Sequence, residues 1–293
     1  MEKDKPKVEE TINYDKIFVK NINTSYLNHK KYEDVLKSLD IVLNSTKING
    51  FILEGLQGLG KSTIVTAHLK KINKEFVYLN NHSTKLSMYK TLYNNRDKII
   101  IIDDIGFNWK ELKGLLNAIL NNGDNRILKY ESTSSKLDVP SSFIFKGKII
   151  ILDNDIKTRL DDSTLSRVIL RDLSFSLDEF KDLTKDIIKH NYDKLKDKEV
   201  NDIYKFIEDN LKTYTKNFSF RTILKTSEIY FNCEDWEIEA LKEFEIDEEL
   251  KFIGNNLNLS VKERNSNWKS VTGKTIRTLQ RKVKEYNKIT GGL

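Results

Sequence analysis

One nonapeptide narrows the possible folds before anything else does: GLQGLGKST, residues 55–63, directly after the apolar FILE. Gly55, Gly60, Lys61 and Ser62 complete the pattern G-x-x-x-x-G-K-[ST], with Gly58 inside it and Thr63 adding a second hydroxyl. A strand that runs into such a turn and then into a helix builds a cradle. Glycine accepts positive φ and has no Cβ, so backbone N–H groups can face inward. The helix start adds unpaired N–H groups and the positive end of its dipole. Lys61 is spaced to reach the β/γ-phosphates and Ser62 to bind Mg²⁺. The stretch reads as a site for a nucleoside triphosphate, not as a plain connecting turn.

The surrounding pattern agrees with that context. FILE (51–54), FVYLN (76–80), KIIII (98–102), KIIIL (148–152) and VILRDLSF (168–175) read as strands. Helical spacing falls at Ser62–Ile72, Thr84–Tyr93 and 109–122, and earlier at Tyr32, Val35, Leu36, Leu39 and Val42. RILKYES (126–132) reads as a short strand or hairpin arm. Nearly continuous aliphatic strands between helices imply a parallel sheet covered on both faces, a doubly wound α/β fold. From Leu177 onward the strands give way to helical patterns, so an all-α region follows the sheet. The expected divisions are a polar tail (1–30), an α/β core (31–176), a helical region (177–233) and a second helical region (234–293).

Composition excludes several classes. The longest aliphatic runs, such as Ile99–Ile102, have four residues, far short of a membrane span. The N-terminal MEKDKPKVEE has no apolar signal region. The single Cys233 cannot form an internal disulfide, which fits a reducing, cytoplasmic compartment, and it reads as a packing residue. His29, His68, His82 and His190 lack ligand spacing, so no metal site is expected on them. The net charge of +6 is mild and favours an acidic partner such as nucleic acid.

A triphosphate site of this type needs acids on a neighbouring strand. KIIIIDDIGF provides Asp103, suited to holding Mg²⁺, and Asp104, suited to polarising the attacking water. The same pair also fits solvated loop acids or a helix cap.

With these motifs in this order the chain resembles the AAA+ ATPases, over about residues 30–232. The resemblance implies ATP and Mg²⁺ as cofactors and a helical lid over the site. Asn154, ending KIIILDND, matches the sensor 1 position that orients the hydrolytic water. Arg167, before the last core strand, matches the arginine finger that reaches a neighbouring subunit's nucleotide. Arg221 in NFSFRTILK matches sensor 2. A further arginine, Arg126, is a weaker candidate to face a neighbour. Two positions depart from the family: Asp104 replaces the usual Glu, implying slow turnover, and Leu59 stands where Thr is frequent. The lead-in Phe143-x-Phe145-x-Gly147 is similar to small AAA+ ATPases of bacteriophages and other mobile elements, although alternating phenylalanines also suit ordinary core-facing strand positions.

The C-terminal VTGKTIRTLQRKVKEYN places Ile276, Leu279, Val283 and Tyr286 on one helical face. Lys274, Arg277, Arg281, Lys284 and Lys288 form a basic stripe on another. It resembles the last helix of Fis-type helix-turn-helix domains, with Gly273 as the turn, while LSVKERNSNWKSV (259–271) matches the preceding helix poorly. A basic helix packed on the lid or on another subunit remains the alternative. There is no GAFTGA loop, which argues against promoter activation.

The expected protein is an ATPase assembled as a homo-oligomeric ring, hexameric by resemblance, acting on DNA. Its tasks would be replication initiation, helicase loading or DNA remodelling, with a replication or phage protein as partner. A protein-remodelling ATPase and a slow nucleotide-dependent assembly switch are the alternatives.

Overall fold

The computed structural model describes residues 29–79, 84–103, 109–123, 126–130, 138–192, 195–216 and 218–290. Five parallel strands form its centre: β1 (Gly50–Glu54), β2 (Phe76–Leu79), β3 (Ile99–Asp103), β6 (Ile149–Asp153) and β7 (Val168–Asp172), in the order β2-β3-β6-β1-β7.

The aliphatic runs are explained by two-sided burial. Side chains alternate along a strand, so each run feeds two cores. Phe51, Leu53, Ile99, Ile101, Ile150 and Leu152 face one core; Ile52, Ile100, Ile102, Ile149 and Ile151 face the other. The first face is covered by α1 (Lys30–Asn44) and α2 (Lys61–Lys71). Three further helices join that core: α6 (Leu177–Asn191), α7 (Asp197–Asn210) and α8 (Phe220–Asn232). The second face is covered by α3 (Lys85–Asn94) and α4 (Trp109–Ile119). Lys31 ties α1 to the start of α6, donating to Glu179 at 2.7 Å and to the Ser174 carbonyl at 2.6 Å. Glu179 in turn accepts from the Ser176 N–H at 2.7 Å, closing a capping box.

The segment expected as a strand or hairpin arm is β4 (Arg126–Lys129), paired antiparallel with β5 (Ser142–Phe145) away from the main sheet. Phe143 and Phe145 point into the core beneath it, while Ile127 and Ile144, directly opposite each other, are exposed. Gly147 follows because nothing larger fits: a Cβ there would lie 1.9 Å from the Lys98 carbonyl oxygen. The expectation that Arg126 faces a neighbouring subunit is corrected. It is 3% exposed. Its guanidinium donates to the carbonyls of Ile119 at 2.7 Å and Gly147 at 2.5 Å and lies over the Phe145 ring. Charge alone suggests the surface, but a fork of donors aimed at backbone carbonyls can be buried.

After α8 come α9 (Trp236–Leu241), α10 (Glu248–Asn256), α11 (Val261–Thr272) and α12 (Ile276–Thr290). Trp268, Ile253 and Leu279 form a third, small core, flanked by Ile276, Val283 and Tyr286. Helix α11 begins at Val261 and takes up most of the stretch 259–271. Ser260 and Glu263 cap it reciprocally, and Trp268 anchors it, donating Nε1–H to the Thr275 carbonyl at 3.2 Å. Gly273, at φ +67°, ends α11 in the left-handed region and turns the chain into α12.

Candidate functional site

β1 delivers the chain to the glycine turn beside two other strand ends. Glu54 is level with Asp153 of β6 and Asp172 of β7, so three carboxylates stand in one row. Cations from the turn after β6 answer them. Arg159 pairs with the buried Asp153 at 2.9 Å, and Lys157 lies 3.4 Å from Glu54 and 3.8 Å from Asp172.

Each glycine of the turn has its own constraint. A Cβ on Gly55 would sit 2.3 Å from the Leu173 carbonyl oxygen. Gly58 and Gly60 have φ of +77° and +76°. Gly58 is also the docking point of α8: the Phe220 N–H donates to its carbonyl at 3.1 Å, and a Cβ would meet Ser219 Oγ at 2.7 Å. From the other side Tyr32 of α1 donates its hydroxyl to the Leu59 carbonyl at 3.0 Å. Two helices distant in sequence therefore hold the loop. Gly58→Ala should cost about 1–3 kcal/mol, from left-handed strain plus displacement of α8, whereas Gly60→Ala should cost about 1 kcal/mol, mainly strain. At Gly60 the nearest atom to a Cβ is Tyr32 Oη at 3.4 Å. Denaturant midpoints of the two variants check the difference.

Lys61, 8% exposed, turns its ammonium back into the loop. Nζ donates to the carbonyls of Gly55 at 2.6 Å and Leu56 at 2.9 Å, and to Asn154 Oδ1 at 2.9 Å. The turn and the end of β6 are thus joined at one cation. Ser62 and Thr63 follow on the first turn of α2. Asp103 ends β3, where its Oδ2 accepts from the hydroxyl of Tyr78 on β2. Burial first, then the Asp103 carboxylate, push the Tyr78 hydroxyl well above its usual pKa, so it is a neutral donor. Arg221 lies on the first turn of α8 and lines, with Gly55, Gln57 and Asn154, a cavity of about 980 Å³. Asp104 lies outside the described residues.

Arg167 is not brought to this group. It precedes β7, whose first residue, Val168, pairs with Gly50 at the far end of β1 from the glycine turn. There it donates to the Ser163 carbonyl at 2.5 Å and to Asn117 Oδ1 at 3.1 Å.

No protein-family profile matches the sequence, and no curated protein does. Solved structures do. Two single-substitution variants of RuvB from Thermotoga maritima superpose at TM-scores of 0.50 and 0.50, with 15% and 14% identity. They cover 87% and 88% of this chain, and 86% of each of theirs is matched. Cdc6p from Pyrobaculum aerophilum gives a TM-score of 0.49 at 15% identity, over 93% of this chain and 89% of its own. The chain has the AAA+ fold. At these identities the likeness is one of architecture, a central parallel sheet with flanking helices and a helical C-terminal region.

Beyond the AAA+ sheet, the basic residues of α12 and of the turn just before it fall into two sets. Arg277, Arg281 and Lys284 are exposed along one side. Lys274 is engaged by Glu249, and Lys282 by Asp247 at 2.7 Å and Glu285 at 3.0 Å. The Lys288 side chain lies outside the described residues. No helix among the described residues is long and apolar enough to cross a membrane.

Sequence reasoning missed Tyr78, Tyr32, Lys157 and Arg159. Tyr78 carried one usable signal, its position near the end of a strand that could neighbour the acidic one. The others depend on which distant elements pack together.

Proposed function

We propose that this chain is an ATP-hydrolysing, Mg²⁺-dependent AAA+ protein that works as a homo-oligomeric ring, hexameric by family resemblance, on DNA. One observation carries the proposal. The Lys61 ammonium converges with Gly55, Leu56 and Asn154 in a glycine turn whose Gly58 is covered by Ser219 and Arg221. The fit to a triphosphate rests on that turn: left-handed glycines at 58 and 60 keep Cβ atoms off the backbone where N–H groups must face a ligand.

In this reading the N–H groups of Gly58 to Thr63 and the Lys61 ammonium hold phosphate, and Ser62 with Asp103 hold Mg²⁺. Bound Mg²⁺ would neutralise charge on the phosphate oxygens as the terminal bond breaks. Asn154 orients the attacking water and Asp104 accepts its proton. Arg221 binds the terminal phosphate from the lid, which links nucleotide state to the position of α8. Arg167 acts on the site of the adjacent subunit.

The DNA part rests on the exposed Arg277, Arg281 and Lys284 on a helix that follows a glycine turn. RuvB is a Holliday junction branch migration motor, so this fold supports work on DNA. The proposed setting is replication initiation, helicase loading or DNA remodelling for a phage or other mobile element. ATP turnover measured with and without single- and double-stranded DNA tests the whole reading: stimulation is expected, and indifference to both would remove the DNA part. Each arginine that meets a phosphate contributes a salt slope of about 0.9. Arg277→Ala with Arg281→Ala should therefore weaken binding alike on all sequences and flatten the log–log salt dependence by about 1.8. An unchanged slope would assign the stripe to another surface.

A slow assembly switch is the second reading, favoured by the Tyr78 hydroxyl held on Asp103. It predicts tight ATP binding and oligomerisation with negligible turnover under every DNA condition.

A further inference from the structure

Tyr78 is the feature of the site that neither the motif nor the fold calls for. Its ring stands on β2, the edge strand of the sheet, and is partly exposed. Its hydroxyl donates to Asp103 Oδ2. A hydroxyl so bonded stands within about 3 Å of the carboxylate oxygen it serves. The phenol oxygen therefore occupies the approach to that oxygen of Asp103. A hard cation bound to the same oxygen would need the same space, because its oxygen ligands surround it at about 2.0–2.1 Å.

We propose that Tyr78 is a tethered plug in the cation site: its hydroxyl occupies Asp103 Oδ2 and must swing out before Mg²⁺ can bind there. This rests on the nucleotide reading above. The geometry gives the plug an exit, since among the described residues no strand of the sheet lies beyond β2. It also gives the plug a function. The hydroxyl keeps Asp103 hydrogen-bonded, so the carboxylate is a poorer site for a free cation. Mg²⁺ arriving as a nucleotide complex brings phosphate oxygens and the Lys61 contact, and these offset the lost hydrogen bond. Metal entry is thereby restricted to the nucleotide-bound state. Tyr78 is a positioning residue in this scheme, with no contact to reacting atoms required.

The test uses the full chain and a fluorescent ATP analogue, with Mg²⁺ as the titrant. The half-saturating free Mg²⁺ concentration for analogue binding is measured for the natural protein and for Tyr78→Phe, which keeps the ring and removes the hydroxyl. A hydrogen bond to a charged group has a net worth that corresponds to a factor of about ten or more. Tyr78→Phe should therefore lower the half-saturating Mg²⁺ concentration by about tenfold, and binding measured in excess chelator should stay as it was. A merely structural tyrosine would change both together. Should Tyr78→Phe fail to fold, Tyr78→Leu at the same edge position serves for the same titration. An unchanged or higher Mg²⁺ requirement in the folded variant overturns the plug while leaving the nucleotide site intact. If the natural protein itself binds no analogue at any Mg²⁺ concentration, the nucleotide reading fails first and the plug falls with it.

Discussion

Lys61→Ala is expected to abolish ATP hydrolysis, with a loss on the order of 10³-fold or more, comparable with removal of other groups that stabilise charge at a transferring phosphoryl. The reason is geometric. The ammonium is nearly buried and converges on Gly55, Leu56 and Asn154, so it links the glycine turn to the end of β6. Alanine removes the positive charge and leaves two backbone carbonyls and an amide oxygen facing one another. Arginine in the same place should not rescue, because a planar fork cannot reproduce a compact ammonium bound by three oxygens in the interior of a tight turn. Phosphate release and fluorescent-analogue binding check the two consequences separately. Turnover by Lys61→Ala at a tenth of the natural rate would exclude this turn as the hydrolytic site.

The place of the lysine was legible in the sequence for a specific reason: its position in the turn depends on local backbone geometry that nine consecutive residues determine. The same holds for the sheet. Every residue of Ile99–Ile102 had to be buried, and only a strand with two covered faces buries both alternating sets. Tyr78 was not legible, because its meaning comes from strand register. It pairs with Ile101, and nothing local says that β2 will lie beside β3 or that the phenol will end at Asp103. Arg126 was misjudged for a related reason. Its surroundings, the carbonyls of Ile119 and Gly147, belong to a helix end and a turn 7 and 21 residues away. At the C-terminus the apolar face of α12 was readable from spacing. The split of the cations in and just before it was not: Lys274 and Lys282 are bound by Glu249 and Asp247, acids around the start of α10. Sequence spacing thus found what a single element fixes, and missed what two elements fix together.

Arg167 is where that distinction has its largest experimental consequence. It stands next to Val168, level with Gly50, while the glycine turn begins after Glu54 at the other end of the strand. Five strand residues at about 3.3 Å each separate the two ends by roughly 17 Å, more than an arginine side chain spans. Arg167 cannot serve the site of its own chain, so a role in hydrolysis requires a neighbour. Arg167→Ala should retain analogue binding and lose turnover by about 10³-fold or more, the range for arginines that act on a transferring phosphoryl from another subunit. Mixing it with Lys61→Ala then becomes decisive. A site supplied by an Arg167→Ala chain keeps its lysine, and a Lys61→Ala neighbour lends it an intact arginine. At equal amounts about one site in four has both, so activity should return to roughly a quarter of the natural level from two inactive proteins. Two mutants that each assemble yet recover nothing at any ratio would remove Arg167 from catalysis and leave it as the partner of Asn117 and Ser163 alone.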